Sequence, residues 1–153
     1  MDEGLIADKM KAYGNSVLRV AASVTGNLSD AEDVFSDVFF TLWRTGQTFL
    51  SEEHCKAWLV RVAINKAKNI RKQAYNRYKT TMPDNVAAAQ NQPCNDVTKA
   101  LQRLKSCERA VVYLHYYEGY GYGEIAETMN LRENTVRSKA LRARAQMEYF
   151  LSK

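Results

Sequence analysis

The sequence predicts an all-α fold: two small helical lobes joined by a linker, the second lobe containing a helix-turn-helix. Three observations carry that expectation. Apolar residues recur at three- and four-residue steps through nearly every segment, and no period-two run of β-branched residues appears anywhere. In one interval, 75–96, the pattern dissolves into Asn, Gln, Thr, Ala and both prolines of the chain, Pro83 and Pro93. With 153 residues, 46% apolar and 25% charged, the chain has apolar side chains enough for two modest cores.

The first helix is read over Leu5 to Thr25, where Ile6, Met10, Tyr13, Val17, Val20, Ala21 and Val24 form one stripe and Gly26 supplies a stop. Ser29 followed by Glu32 has the spacing of a capping box, and the second helix runs from there to about Arg44, with Gly46 at its end. Its inward side is Ala31, Val34, Phe35, Val38 and Leu42. After a polar loop that holds Phe49 and Leu50, Ser51 caps a third helix reaching about Gln73 or Tyr78, with Trp58, Leu59, Val62, Ala63, Ala67 and Ile70 inside. The first lobe is thus expected over 1–74, the linker over 75–96 and the second lobe over 97–153. In that second lobe Val97, Leu101 and Leu104 mark a short helix. A helix from Cys107 to Glu118 follows, capped by Ser106 and closed by Gly119. The last two helices, Tyr122 to Met129 and about Glu133 to Leu151, are separated by a tight break at Asn130-Leu131-Arg132.

The net charge of +5 is laid out unevenly. Residues 28–37 carry Asp30, Glu32, Asp33 and Asp37 with no base, whereas 56–72 carry six bases with no acid. Separate basic stretches point to a polyanion partner, and the acidic stretch to a second partner that is not nucleic acid. Acid near a helix start also suits the macrodipole, which covers Asp30, Glu32 and Asp33; Asp37 lies too far along for that. The acidic start Met1-Asp2-Glu3 and the lack of a long apolar run point to a cytoplasmic protein with no membrane association. Cys55, Cys94 and Cys107 are far apart and form no C-x-x-C, so neither a disulfide framework nor a metal site is expected. His54 and His115 stand apart, and no nucleophile, metal or phosphate-loop motif is present, so no catalysis and no cofactor are expected.

The helix-turn-helix expectation rests on the C-terminal pair. Ile125, Ala126, Met129, Leu131 and Val136 are placed to pack where the two helices cross, and Ala126 is small enough for close approach. The second helix of the pair then offers Arg132, Arg137, Lys139, Arg142 and Arg144, opposed in that interval only by Glu133, to phosphates and base edges. On the third helix of the chain, Arg61, Asn65, Lys68 and Lys72 lie at offsets of four, seven and eleven and share a face. Such a face, with Phe49 near its start, suits single-stranded or melted DNA, in which an unstacked base rests on a ring while an amide reads its edge. The same residues are also consistent with a solvated basic face and a Phe49 that merely packs in the core.

Three ordered motifs resemble the extracytoplasmic-function sigma factors: Asp30-Ala31-Glu32-Asp33-Val34-Phe35; Ala57-Trp58-Leu59-Val60-Arg61-Val62-Ala63-Ile64-Asn65; and Tyr117-Glu118-Gly119 ahead of Glu124-Ile125-Ala126 and Thr135-Val136-Arg137-Ser138-Lys139. The likeness implies an acidic helix, with Asp30, Glu32, Asp33 and Asp37, that docks on the clamp coiled coil of the largest subunit of core RNA polymerase. It implies that Phe49, Arg61, Asn65, Lys68 and Lys72 take the melted minus-ten element of promoter DNA. It implies further that Arg137, Ser138, Lys139, Leu141 and Arg142 read the minus-thirty-five element, with the polymerase flap as a second contact. Members of the family are commonly held by an anti-sigma factor, and no residue here identifies one. Arg132, Gly121 and Gly123 depart from the pattern, where Ser or another small cap, Ser and Glu are usual. A stand-alone helix-turn-helix regulator that binds duplex DNA without polymerase is the alternative reading.

Overall fold

A computed structural model describes residues 3–78 and 96–152, with side chains described except at 75–78; the rest of the expected linker, 79–95, lies outside the described residues. The elements are α1 (Glu3–Thr25), α2 (Leu28–Thr45), α3 (Glu52–Tyr78), α4 (Asp96–Arg103), α5 (Ser106–Val112), a π-helical stretch (Tyr113–Tyr117) continuous with α5, α6 (Tyr122–Met129) and α7 (Glu133–Leu151). No strand occurs among the described residues. The expected linker is shortened at both ends, because α3 continues to Tyr78 and α4 begins at Asp96.

Local chemistry sets the helix ends. The start of α2 departs from the Ser29 capping box: Asn27 is the cap, its Oδ1 accepting from the Asp30 N–H at 2.8 Å while its Nδ2 donates to Asp30 Oδ2 at 2.9 Å. Asn27 wins because its amide both accepts and donates, so one side chain satisfies the helix start and fixes the first-turn acid. At the other end Gly46 adopts φ 61° and returns its N–H to the Leu42 carbonyl. Ser51 caps α3 as expected, accepting from the His54 N–H at 3.1 Å. Ser106 does not cap α5; it is the first helical residue, and its hydroxyl donates elsewhere.

Most of the expected inward stripes are buried: Val17, Val20, Ala21 and Val24 of α1, Ala31, Val34, Val38 and Leu42 of α2, and Leu59, Ala63 and Ala67 of α3; Ile6, Tyr13, Phe35, Trp58, Val62 and Ile70 are half-buried, and Met10 is exposed. In α3, Val60 and Ile64 are also fully buried, giving a wider apolar side than the sequence reading assigned. Instead of standing apart as independent lobes, the halves pack together, and one continuous apolar cluster joins these residues to Ala110, Val111, Leu114, Ile125, Met129 and Val136. A smaller cluster of Leu104, Val112 and Ala143 closes the outer side of the second half.

Candidate nucleic-acid interface

The turn between α6 and α7 is tight because Asn130 takes a left-handed conformation, φ 57°, and the Leu131 N–H returns to the Ala126 carbonyl at 2.8 Å. Ile125, Ala126, Met129 and Val136 are buried at the crossing, as their spacing required. At the start of α6 the Gly121 N–H donates to Glu124 Oε1 at 3.3 Å.

This packing turns one face of α7 outward. Arg137, Ser138, Leu141 and Arg142 are all exposed there, Leu141 at 70%, whereas Lys139 is half-buried on the flank. Arg137 is held on two sides, by Glu133 Oε1 at 2.9 Å and by the Tyr122 ring, whose centroid is 5.2 Å from the guanidinium carbon. His115 stacks on that same tyrosine at 4.5 Å and 18°, and its Nδ1 lies 2.8 Å from the Tyr120 carbonyl oxygen, so it acts as a half-buried packing residue. Arg142 Nη1 lies 3.5 Å from Glu108 Oε1, a carboxylate that is 1% exposed. Arg144 is engaged by the Tyr116 hydroxyl and ring.

On α3, Arg61, Asn65, Lys68 and Lys72 are exposed along one side. Two of them touch the second half of the chain: Arg61 Nη2 is 3.7 Å from Glu127 Oε1, and Lys68 Nζ donates to the Met129 carbonyl at 3.0 Å. Phe49 lies at the start of α3 but is half-buried, its ring 5.7 Å from Trp58 and 5.4 Å from His54. The exposed apolar side chain of that loop is its neighbour Leu50, at 96%.

The acids of α2 divide. Asp30 is half-buried against Asn27, whereas Glu32, Asp33 and Asp37 are exposed. Asp33, Asp37 and Phe40 follow at steps of four and three, and the exposed Phe40 ring lies 5.9 Å from the exposed Trp43 ring. Phe40 and Trp43 were missed in the sequence reading, although neither falls on the Ala31-Val34-Val38-Leu42 stripe, and that was the available signal.

Between the halves Glu118 is the central charge. Its own burial pushes the carboxyl up, but hydrogen bonds from Lys56, Tyr113 and Ser16 outweigh that and hold it below the ordinary value. Lys56 Nζ is 2.8 Å and the Tyr113 hydroxyl 2.7 Å away. Among the described residues no three His, Cys, Asp or Glu gather to hold a metal, and no helix is long and apolar enough to cross a membrane.

Two family models match the chain, "Sigma-70 region 2" over residues 10–77 and "Sigma-70, region 4" over residues 94–147. An α-helical chain joining these two regions is a factor of the sigma-70 class. Similar proteins include the ECF RNA polymerase sigma factor SigE of Mycolicibacterium smegmatis, 29% identical over 94% of this chain, which spans only 60% of that relative. The ECF RNA polymerase sigma-E factor of Haemophilus influenzae is 28% identical over 90% of this chain and 86% of its own length. Among solved structures, the sigma factor RpoE of Bartonella quintana, in complex with the anti-sigma factor NepR, superposes with a TM-score of 0.76. It is 20% identical, over 95% of this chain and 96% of that one. CnrH, in complex with the cytosolic domain of CnrY, gives 0.66 at 22% identity over 99% and 90%. The chain belongs to the extracytoplasmic-function sigma factors.

Proposed function

We propose that this chain binds core RNA polymerase and directs initiation at promoters by reading two separated DNA elements. One observation carries the reading. A single polypeptide exposes a basic, amide-bearing face on α3 within its region 2 match and a helix-turn-helix with Arg137, Ser138, Leu141 and Arg142 outward within its region 4 match. On this reading Arg61, Asn65, Lys68 and Lys72 take the melted minus-ten strand. Leu50 in place of the packed Phe49 is the apolar side chain available to it there. Arg137, Ser138, Leu141 and Arg142 read the minus-thirty-five duplex in the major groove, with Lys139 toward a phosphate.

The face formed by Glu32, Asp33, Asp37, Phe40 and Trp43 is the surface for core polymerase. Exposed acids beside two exposed rings suit a helical partner with both basic and apolar residues, such as the clamp coiled coil. Asp30, tied to Asn27, serves the helix start instead. The flap is a second core contact for the region 4 half. The division of labour follows the domain division, 1–74 for the polymerase and minus-ten element and 97–153 for the minus-thirty-five element. The chain performs no chemistry itself and works in the cytoplasm, where the polymerase is. An anti-sigma factor is a further partner by analogy with the Bartonella protein and CnrH.

The test is transcription in vitro on a genomic promoter library. Specific initiation by core enzyme is expected only when the chain is added. Tight, site-specific duplex binding without core, and no stimulation of core, would establish the stand-alone regulator instead.

A further inference from the structure

A row of rings runs from the π-helical stretch to the outward face of α7. His115 and Tyr116 follow one another in that stretch, where bonds to the fifth residue along, such as that from the Glu118 N–H to the Tyr113 carbonyl at 3.2 Å, widen the turn. Their rings stand edge to face with centroids 4.8 Å apart. The His115 imidazole lies nearly parallel to the Tyr122 ring of α6, 4.5 Å away at 18°. Each end of the row meets an arginine of α7. The Arg137 guanidinium carbon is 5.2 Å from the Tyr122 centroid, and that of Arg144 is 5.7 Å from the Tyr116 centroid. Two helical turns separate Arg137 from Arg144, so they share one side of α7 about 10 Å apart along its axis. The row therefore straps α7 at two points.

The rings have little freedom. A carbonyl oxygen only accepts, so the His115 Nδ1 that lies 2.8 Å from the Tyr120 carbonyl carries the proton and donates, which fixes the plane of the imidazole. The Tyr120 N–H returns to the Leu114 carbonyl at 2.9 Å and ties that segment to the π-helical stretch. At the far end the Tyr116 hydroxyl accepts from Arg144 Nε at 3.0 Å and also from its Nη2. Tyr122 is half-buried and packs against the apolar cluster, whereas Arg137 is exposed. The two partners of Arg137 differ in kind. The Glu133 carboxylate takes an N–H that a base or phosphate would need. The Tyr122 ring draws the charge through its π face and leaves the N–H donors available.

We propose that the His115–Tyr122 stack is the positioning device for Arg137 in upstream-element reading, so that residues outside α7 set how sharply α7 discriminates. The inference rests on the assignment of Arg137 to a base edge. A free arginine side chain gives up rotamer freedom when it docks, and a bidentate contact accepts one orientation only. Tyr122 restricts the guanidinium before DNA arrives, His115 braces Tyr122, and the Arg144–Tyr116 contact fixes the other end of the row to α7. Arg144 is thereby an anchor of the row instead of a base reader. Tyr122 and His115 act through Arg137, so their contribution is to discrimination where Arg137 reads and nowhere else.

The test uses the full-length chain bound to core polymerase, with affinity measured on promoter fragments that carry each single base change in the upstream element. Arg137→Ala first marks the base pairs that Arg137 reads. Tyr122→Leu, which keeps apolar bulk without a π face, is expected to lower discrimination at those same pairs by about two- to fivefold and to leave the remaining pairs as they are. Tyr122→Phe returns the ring and recovers the discrimination, whereas His115→Ala repeats the loss at the same pairs. Adding Tyr122→Leu to Arg137→Ala changes discrimination no further. Phenylalanines of increasing ring fluorination in place of Tyr122 keep the shape and weaken the π face, so discrimination falls stepwise along the series, a readout that stands even if Tyr122→Leu unfolds. A flat fluorination series, or a loss spread equally over all base pairs, overturns the positioning role. Full discrimination in His115→Ala overturns the brace. If Arg137→Ala itself leaves discrimination at the wild-type level, the base assignment fails and the positioning role falls with it.

Discussion

Lys56 Nζ lies 2.8 Å from Glu118 Oε1 and joins α3 of the first half to the turn after the π-helical stretch of the second. The carboxylate is 8% exposed and also accepts from Tyr113, so its charge is spent inside the joint between the halves. Removing that charge while keeping the shape, as in Glu118→Gln, is expected to cost about 1–3 kcal/mol at neutral pH, measured by urea denaturation. The sign with pH follows from the lowered carboxyl. A group whose native value lies below its ordinary 4.5 binds fewer protons folded than unfolded. Its contribution is complete above that ordinary value and is lost as pH falls through the native one. The gap between wild type and Glu118→Gln should therefore be widest near neutrality and narrow in acid below 4.5. A gap that widens in acid contradicts the assignment.

The helix boundaries that rest on one residue's backbone chemistry were legible in the sequence. Gly46, Ser51 and the Asn130 turn each do what their residue type dictates. The start of α2 was misread because Asn27 and Ser29 are both good caps, and the choice depends on Asn27 donating to Asp30 as well as accepting from it. The joining of the halves was hidden for a different reason. Val20, Val24, Val60 and Ile64 are apolar whether covered by their own lobe or by the other, and periodicity does not record which neighbour covers a stripe. The basic set on α3 shares one exposed side, since helical spacing fixes that, whereas on α7 Arg137 and Arg142 are exposed and Lys139 is half-buried. Phe49 did not emerge as a free ring, because Trp58 lies within its reach and burial of both rings is the stronger term.

Gly123 lies inside α6 with no atom within 4 Å of an added Cβ. Its replacement by Ala fills open space and removes backbone freedom from the unfolded chain. Gly123→Ala is expected to raise stability by about 0.5–1 kcal/mol. Gly119 is the contrasting case: space is equally open there, but φ is +76°, so Gly119→Ala carries backbone strain and is expected to destabilise by about 1 kcal/mol or more. Thermal denaturation of the two variants checks both signs at once. Equal shifts in the same direction contradict this account.

If α7 reads the upstream duplex as proposed, Glu133 is the competitor for Arg137. The pair is exposed, with N to O at 2.9 Å one helical turn apart, and contributes only about 0.3–0.5 kcal/mol to the helix. Glu133→Gln frees the guanidinium and removes a negative charge from the face that meets the duplex. Stability should hardly change, while affinity for upstream-element DNA rises and becomes more sensitive to salt. Titrations of the polymerase-bound chain on promoter fragments at two salt concentrations measure this. A fall in affinity would place Glu133, rather than Arg137, in contact with a base.

Arg142 has a structural contact and a proposed base contact, which simple truncation mixes. It is 59% exposed on the outward face of α7, yet its Nη1 is the 3.5 Å partner of Glu108, which is 1% exposed. Arg142→Ala removes the candidate base contact and leaves a buried carboxylate without its cation. The stability loss from that second effect is expected to be about 1–2 kcal/mol, reduced from the cost of a fully buried pair because water reaches the arginine. Glu108→Gln removes the buried charge first. In that background Arg142→Ala should cost little stability but should still weaken discrimination at one or two upstream base pairs, by about 1–3 kcal/mol. Denaturation of the four proteins in the cycle gives the structural coupling, and transcription from single-base promoter variants gives the recognition term. If recognition recovers in the double variant along with stability, Arg142 acts on promoter choice through folding; if it stays lost, the arginine reads the base.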